Sequence, residues 1–193
     1  MFQNLRGKLQ RRVESKWALV TLAAVAFVES SFFPIPPDAM LIPMALLKKE
    51  KWVKYSLVAT AASVIGGLLG YLIGFQFYDH IAVKLIDFYH MHDQFKLVEH
   101  FYRQYGFFAV FAAGLTPIPY KVFTIAAGLF KMNIISFTMA SIVGRGARFV
   151  LEGFLVFKFG EAAVEFINRH FALATTAIVV LTVLAFILWR IWQ

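Results

Sequence analysis

The chain has 193 residues, 60% of them hydrophobic, and a mean hydropathy of +0.69, which excludes an ordinary water-soluble domain. Its formal charge of +8 is not a nucleic-acid footprint, because the basic residues sit at the ends of apolar runs and are not interleaved with stacking aromatics. Cysteine is absent, which excludes disulfides and thiolate metal sites.

Arg6, Lys8, Arg11, Arg12 and Lys16 precede the first apolar run, and Phe2, Leu5, Leu9, Val13 and Trp17 recur among them at helical spacing. Residues 1–16 are therefore expected to form a basic amphipathic helix on the anionic inner leaflet, with the N-terminus cytoplasmic. The small residues Ala24 and Ala26 resemble a signal-cleavage site, but apolar character continues through Phe27, Val28, Phe32 and Phe33, where a secreted chain would turn polar. Residues 17–47 have cations at both ends, with Lys48, Lys49, Lys51 and Lys54 following them. They are expected to enter the membrane, turn at Pro34, Pro36 and Pro37 and return to the same side as a re-entrant hairpin, each arm being shorter than the roughly 20 residues of a full span.

Residues 52–78 are long enough to cross, and Gly66, Gly70 and Gly74 repeat on one helix face, as close helix packing needs. Over 79–105 the acids Asp79, Asp87, Asp93 and Glu99 outweigh Lys84, Lys96 and Arg103, which points to the external side. Leu85, Phe88, His92, Phe95, Val98 and Tyr102 fall near helical spacing there, so a pair of interfacial amphipathic helices is expected. Residues 106–130 then form a second hairpin turning at Pro117 and Pro119, followed by spans over 134–157 and 172–189, the last belted by Trp189 and Trp192. The fold class is an all-α membrane protein, a single integral membrane domain over 1–193 with two inverted re-entrant hairpins and about three full transmembrane helices at the usual span length.

Two internal echoes support the inversion. Residues 34–48, PIPPDAMLIPMALLK, return as residues 117–131, PIPYKVFTIAAGLFK, at an offset of 83, and residues 62–66, ASVIG, return as residues 140–144, ASIVG, at an offset of 78. Transporters place substrate between paired broken helices of this kind.

Glu29, Asp38, Lys121, Arg145, Arg148 and Glu152 are ionisable at membrane depth, where charge is costly and marks function. Arg145, Arg148 and Glu152 share one helix face, so Arg148 and Glu152 can pair, as a structural brace would. Arg145 has no local mate and is available to Glu29 or to an anionic ligand. Asp38 of the first repeat matches Lys121 of the second, placing an acid and a base to meet at the pseudo-symmetry centre. Helix N-termini at the hairpin tips, with Lys121, Arg145 and Arg148, suit a phosphate-like head group, while Glu29 and Asp38 would gate the site or couple protons. The alternative makes these carboxylates braces in a non-transporting membrane-integrity or assembly factor.

Other chemistries find little support. His80, His90, His92 and His100 lack metal-ligand spacing, and no cofactor motif is present. Gly-x-Ser-x-Gly, His-Glu-x-x-His and P-loop patterns do not occur, and Ser63 and Ser141 have no histidine within a helical turn, so no enzyme is expected. A paired-acid mechanism would need a second acid beside Asp38, for which the sequence offers Glu29. The 22 phenylalanines read as lipid-facing and packing residues.

Residues 29–43, ESSFFPIPPDAMLIP, resemble the first hairpin of the DedA family, in which an acid precedes a Phe-Pro-x-Pro turn and another acid follows it. Pro117 with Ala127 and Gly128 resembles that family's second hairpin, and the likeness covers roughly residues 25–160. The resemblance implies facing re-entrant hairpins in a bacterial inner membrane. It also implies transport of lipid-linked phosphates, notably undecaprenyl phosphate, or of another anionic lipid, with functional weight on Glu29 and Asp38. Membrane lipids are then the expected partners, and homo-oligomers are compatible with it. The family's second hairpin usually has arginines where Gly114 and Tyr120 stand here. Lys121, beside Tyr120, is the candidate to replace one, and Arg145 or Arg148 to supply the other from the next helix.

Overall fold

The structure, a computed structural model, describes residues 16–31, 36–78, 88 and 92–162. The expected helix over 1–16, Pro34 and the span over 172–189 lie outside the described residues, as do His80, His90 and most of 79–91. Among the described residues there are six α-helices and no strand: α1 (Lys16–Ser31), α2 (Asp38–Leu47), α3 (Trp52–Phe77), α4 (His92–Leu115), α5 (Tyr120–Leu129) and α6 (Ile134–Phe159). A single 3₁₀ turn, Lys49–Lys51, joins α2 to α3.

Helix length sets two pairs apart from α1, with 16 residues, and α4, with 24. α3 and α6 have 26 residues each and are long and apolar enough to cross a membrane. At 1.5 Å per residue each is about 39 Å long, against a hydrocarbon core of about 30 Å. α2 and α5 have 10 residues each. They reach only about 15 Å.

Both short helices start at prolines. Pro37 precedes α2 with φ −66° and Pro119 precedes α5 with φ −60°. Proline's missing N–H is harmless at a helix start, and Asp38 in the first turn of α2 suits the positive end of the helix dipole. α5 closes through Lys131, whose φ of 50° lets its N–H reach the Gly128 carbonyl and the Met132 N–H reach Ala127. Asn133 then caps α6, its Oδ1 accepting from the amides of Ile135 and Ser136 at 3.0 Å each.

α4 differs from the expected layout. It runs unbroken through the boundary drawn at 105/106, joining the polar stretch to the first arm of the second broken unit. Gly106 alone costs a helix only about 1 kcal/mol. Opposing that cost, Phe95 and Tyr102 both pack on Phe130, ring centroids 5.1 Å apart, which ties this part of α4 to the end of α5.

Packing repeats between the halves. α1 lies against α3 where Gly66 meets the Phe27 backbone, and α4 lies against α6 where Gly144 meets the Phe111 backbone. Without a Cβ at these two glycines the backbones can touch, and the Ser31 hydroxyl donates to the Gly66 carbonyl at 3.1 Å. Each short helix packs on the long helix of the other half, α2 on α6 and α5 on α3. The outward sides of the long helices carry Leu57, Ile65, Ile142 and Leu151, exposed and apolar, as a surface in contact with lipid requires.

Candidate functional site

Arg145, Arg148 and Glu152 are three and four residues apart on α6, so their side chains leave one face of that helix. All three are buried, with 3%, 8% and 8% of their surfaces exposed. Charges this deep need partners, and the partners come from every other described helix except α4, whose following segment supplies a carbonyl instead.

The first centre is Arg145. Its Nη2 donates to Glu29 Oε2 at 2.7 Å, and its Nε donates to Ser63 Oγ at 2.6 Å. Ser63 and Ser30 hydroxyls are 2.6 Å apart, and Ser30 donates to Glu29 Oε2 at 3.2 Å. Ser30 has one proton and spends it on Glu29, so Ser63 is the donor between the serines. The result is a closed ring, Arg145 to Ser63 to Ser30 to Glu29 and back. The guanidinium also lies over the rings of Phe149 and Tyr120, 4.6 Å and 5.0 Å from their centroids. Tyr120 is held there by donating to Ser141 at 2.6 Å.

The second centre is Arg148. Nη2 donates to Asp38 Oδ2 at 2.6 Å, Nε to Glu152 Oε1 at 3.1 Å and Nη1 to the Thr116 carbonyl at 2.9 Å. Asp38 opens α2 and Thr116 follows the end of α4. One guanidinium therefore joins the two places where the chain breaks helix. The other oxygens of its two acids, Asp38 Oδ1 and Glu152 Oε2, are buried and have no hydrogen-bond partner among the described residues.

Four of the five residues singled out for binding and coupling thus meet as two pairs, Glu29 with Arg145 and Asp38 with Arg148. Lys121 does not join them. Among the described residues its ammonium takes no hydrogen bond or ion pair, and the expected meeting of Asp38 with Lys121 is replaced by Asp38 with Arg148. The cause is helix phase: Tyr120 points inward, 1% exposed, and the next residue is turned by about 100°. The acid beside Asp38 also differs from expectation, since Glu152 and not Glu29 shares its guanidinium. Sequence reasoning did not find Tyr120, Ser30, Ser63 or the Thr116 carbonyl as members. The one available signal was Ser63 and Ser141 recurring in the ASVIG and ASIVG echo.

Pro36 and Pro37 lead into α2, while Pro117 and Pro119 lie in the segment between α4 and α5. Among the described residues no group of three or more His, Cys, Asp or Glu is placed to hold a metal ion. A cavity of about 620 Å³ lies elsewhere, between the C-terminal ends of α2 and α6 near Leu47, Lys49 and Phe159, away from both arginines.

The family model described as the VTT domain matches residues 35–158, a segment holding Asp38, Lys121, Arg145, Arg148 and Glu152. An uncharacterized protein of Haemophilus influenzae is 37% identical over 186 residues, 96% of this chain and 96% of that protein. One of Methanocaldococcus jannaschii is 27% identical over 121 residues, 63% of this chain and 72% of that protein. A Staphylococcus aureus protein named undecaprenyl phosphate transporter A is 31% identical over 127 residues, 58% of this chain and 59% of that protein. No solved structure matches the chain. With all but the terminal residue of the first repeat and of α6, and the whole of the second repeat and α3, inside the matched segment, the chain belongs to the VTT-domain, or DedA, family of membrane proteins.

Proposed function

We propose that this protein is a flippase for an anionic lipid in the bacterial cytoplasmic membrane, moving a polyprenyl phosphate such as undecaprenyl phosphate, or a phospholipid, between two inverted re-entrant hairpins. Family membership and the named Staphylococcus aureus relative support lipid transport. The observation that carries the reading is the pair of buried guanidiniums held by carboxylates, one of which, Arg148, joins the two helix breaks. Re-entrance is supported by helices of 10 residues, about half the length a span requires. The positive-inside pattern supports a cytoplasmic N-terminus.

The mechanism is an exchange of partners. A phosphate offers a guanidinium the same two-oxygen face that a carboxylate does, so an incoming head group can replace Glu29 on Arg145 or Asp38 on Arg148. A displaced carboxylate at this depth is costly as an anion and takes up a proton. Head-group movement and proton movement are thereby coupled. Lys121, without an ion pair of its own, supplies a first attraction for the phosphate, and the acyl or prenyl chain stays against the exposed apolar helix faces.

One observation favours the assembly-factor reading: both guanidiniums are already satisfied by protein groups, as braces would be. Proteoliposomes decide between them. Transbilayer movement of undecaprenyl phosphate and of an ordinary anionic phospholipid is followed at two pH values for the native chain, Glu29→Gln and Arg145→Ala. Specific, pH-dependent movement lost in both variants is expected. If well-folded native protein moves neither lipid, the flippase reading is wrong.

A further inference from the structure

We infer that Asp38 and Glu152 form a proton-binding site in which the two carboxyl groups share one proton beside Arg148. Its role in coupling rests on the transport reading above; the presence of the proton does not.

The inference starts from a count. The buried cluster contains three carboxylates, Glu29, Asp38 and Glu152, and two guanidiniums, Arg145 and Arg148. Fully ionised, it carries one uncompensated negative charge in a low-dielectric setting. The excess sits at Arg148, because Glu29 has Arg145 and the Ser30 hydroxyl as partners and shares neither with another acid. The Nε–Nη2 edge of an arginine ordinarily grips both oxygens of a single carboxylate. At Arg148 that edge is divided, Nη2 going to Asp38 and Nε to Glu152, which sets the two carboxyl groups side by side on one guanidinium edge.

Each acid is then left with one buried oxygen lacking a partner among the described residues, Oδ1 of Asp38 and Oε2 of Glu152. Two ionised carboxylates cannot satisfy each other, since both only accept. A proton taken from water onto one of them makes that oxygen a donor and the neighbouring carboxylate its acceptor. No bond but the O–H forms, and the cluster's net charge goes from −1 to zero on the count above. Like-charged carboxylates in contact share a proton in this way.

Other charges do not change the assignment. On α6 the facing groups are Arg145 and Arg148, on α1 Glu29 and on α2 Asp38 itself. α3 turns the rings of Trp52 and Tyr55, the Thr60 methyl and the hydroxyls of Ser56 and Ser63 towards α6, none of them a cation, and the segment after α4 gives the Thr116 carbonyl. No further cation among these is available to balance the pair.

The test is infrared spectroscopy of the purified protein at neutral pH, reading the carboxylic-acid carbonyl stretch and its shift in heavy water. The native chain and Glu99→Gln, altered at an acid outside the cluster that pairs with Arg103, should both show the band. Glu152→Gln and Asp38→Asn should each lose it, with elution as a single species showing that they fold. A native spectrum without the band overturns the site, and so does a band that survives in both Glu152→Gln and Asp38→Asn. If one variant does not fold, the other and the native spectrum still decide. The readout needs no lipid, so a protein that shows the band but moves no lipid retains the site and loses the flippase reading. Where lipid does move, Glu152→Gln should flatten the dependence of its rate on pH, and an unchanged pH profile would remove the pair from the coupling path.

Discussion

The long helices of the two halves share the small-residue echo, residues 62–66 on α3 and residues 140–144 on α6, and they diverge immediately after it. At the offset of 78, Gly67, Gly70 and Gly74 of α3 stand where α6 has Arg145, Arg148 and Glu152. The glycines let α5 come down onto α3: Gly67 meets the Tyr120 ring, Gly70 the Thr124 side chain and Gly74 the Ile125 backbone. The corresponding contact, α2 on α6, is mediated by the Arg148 side chain reaching Asp38. One crossing is made by backbones; the other joins an ion pair to the apolar contact of Ile42 and Ala45 with Val156, and it is this ion pair that the flippase reading has a head group replace. A duplicated scaffold has thus been specialised, with one side closed and the other chemical.

That contrast can be broken most forcefully at Arg148. Arg148→Ala leaves Asp38 and Glu152 buried without their cation and should cost about 3–5 kcal/mol, read as a large fall in melting temperature in detergent, with lipid movement abolished. On the closed side, Gly74→Leu forces a side chain into the Ile125 backbone and should cost about 1–3 kcal/mol or more. Protein that still folds should move lipid normally, because no charged residue is touched; loss of transport without loss of stability would contradict the division between the two crossings.

Glu29→Gln should be milder in stability and severe in function. The amide oxygen can still accept from Arg145, so the melting temperature should change by less than about 1 kcal/mol would produce, while transport is lost. A large drop in melting temperature would make Glu29 a brace. The smallest effect belongs to Lys121→Gln, whose stability change should stay within about 0.5 kcal/mol. Its signature is weaker lipid capture that salt suppresses in the native chain but not in the variant.

The broken helices, both long spans and the five charges that meet in the cluster were legible because each leaves a local mark: paired prolines, an apolar run of sufficient length, an ionisable residue where none should be. The pairing of those charges was not legible. Spacing shows that Arg148 and Glu152 share a face, but whether Asp38 meets Lys121 or Arg148 depends on the rotational phase of α5 around its axis. The continuity of α4 was hidden for a related reason, since Phe95 and Tyr102 find Phe130 only after α5 is in place.

The crossed arrangement of the short helices has a consequence for how the molecule comes together. α2 rests on a helix made more than eighty residues later, and α5 on one made long before it. α2 also meets α3, and α5 also meets α4, but neither half contains the whole surface that covers its own short helix. Cut between α3 and α4, the chain would yield two fragments that are clasp and counterpart, each incomplete when made alone and able to regain the native arrangement only by complementation within the same bilayer.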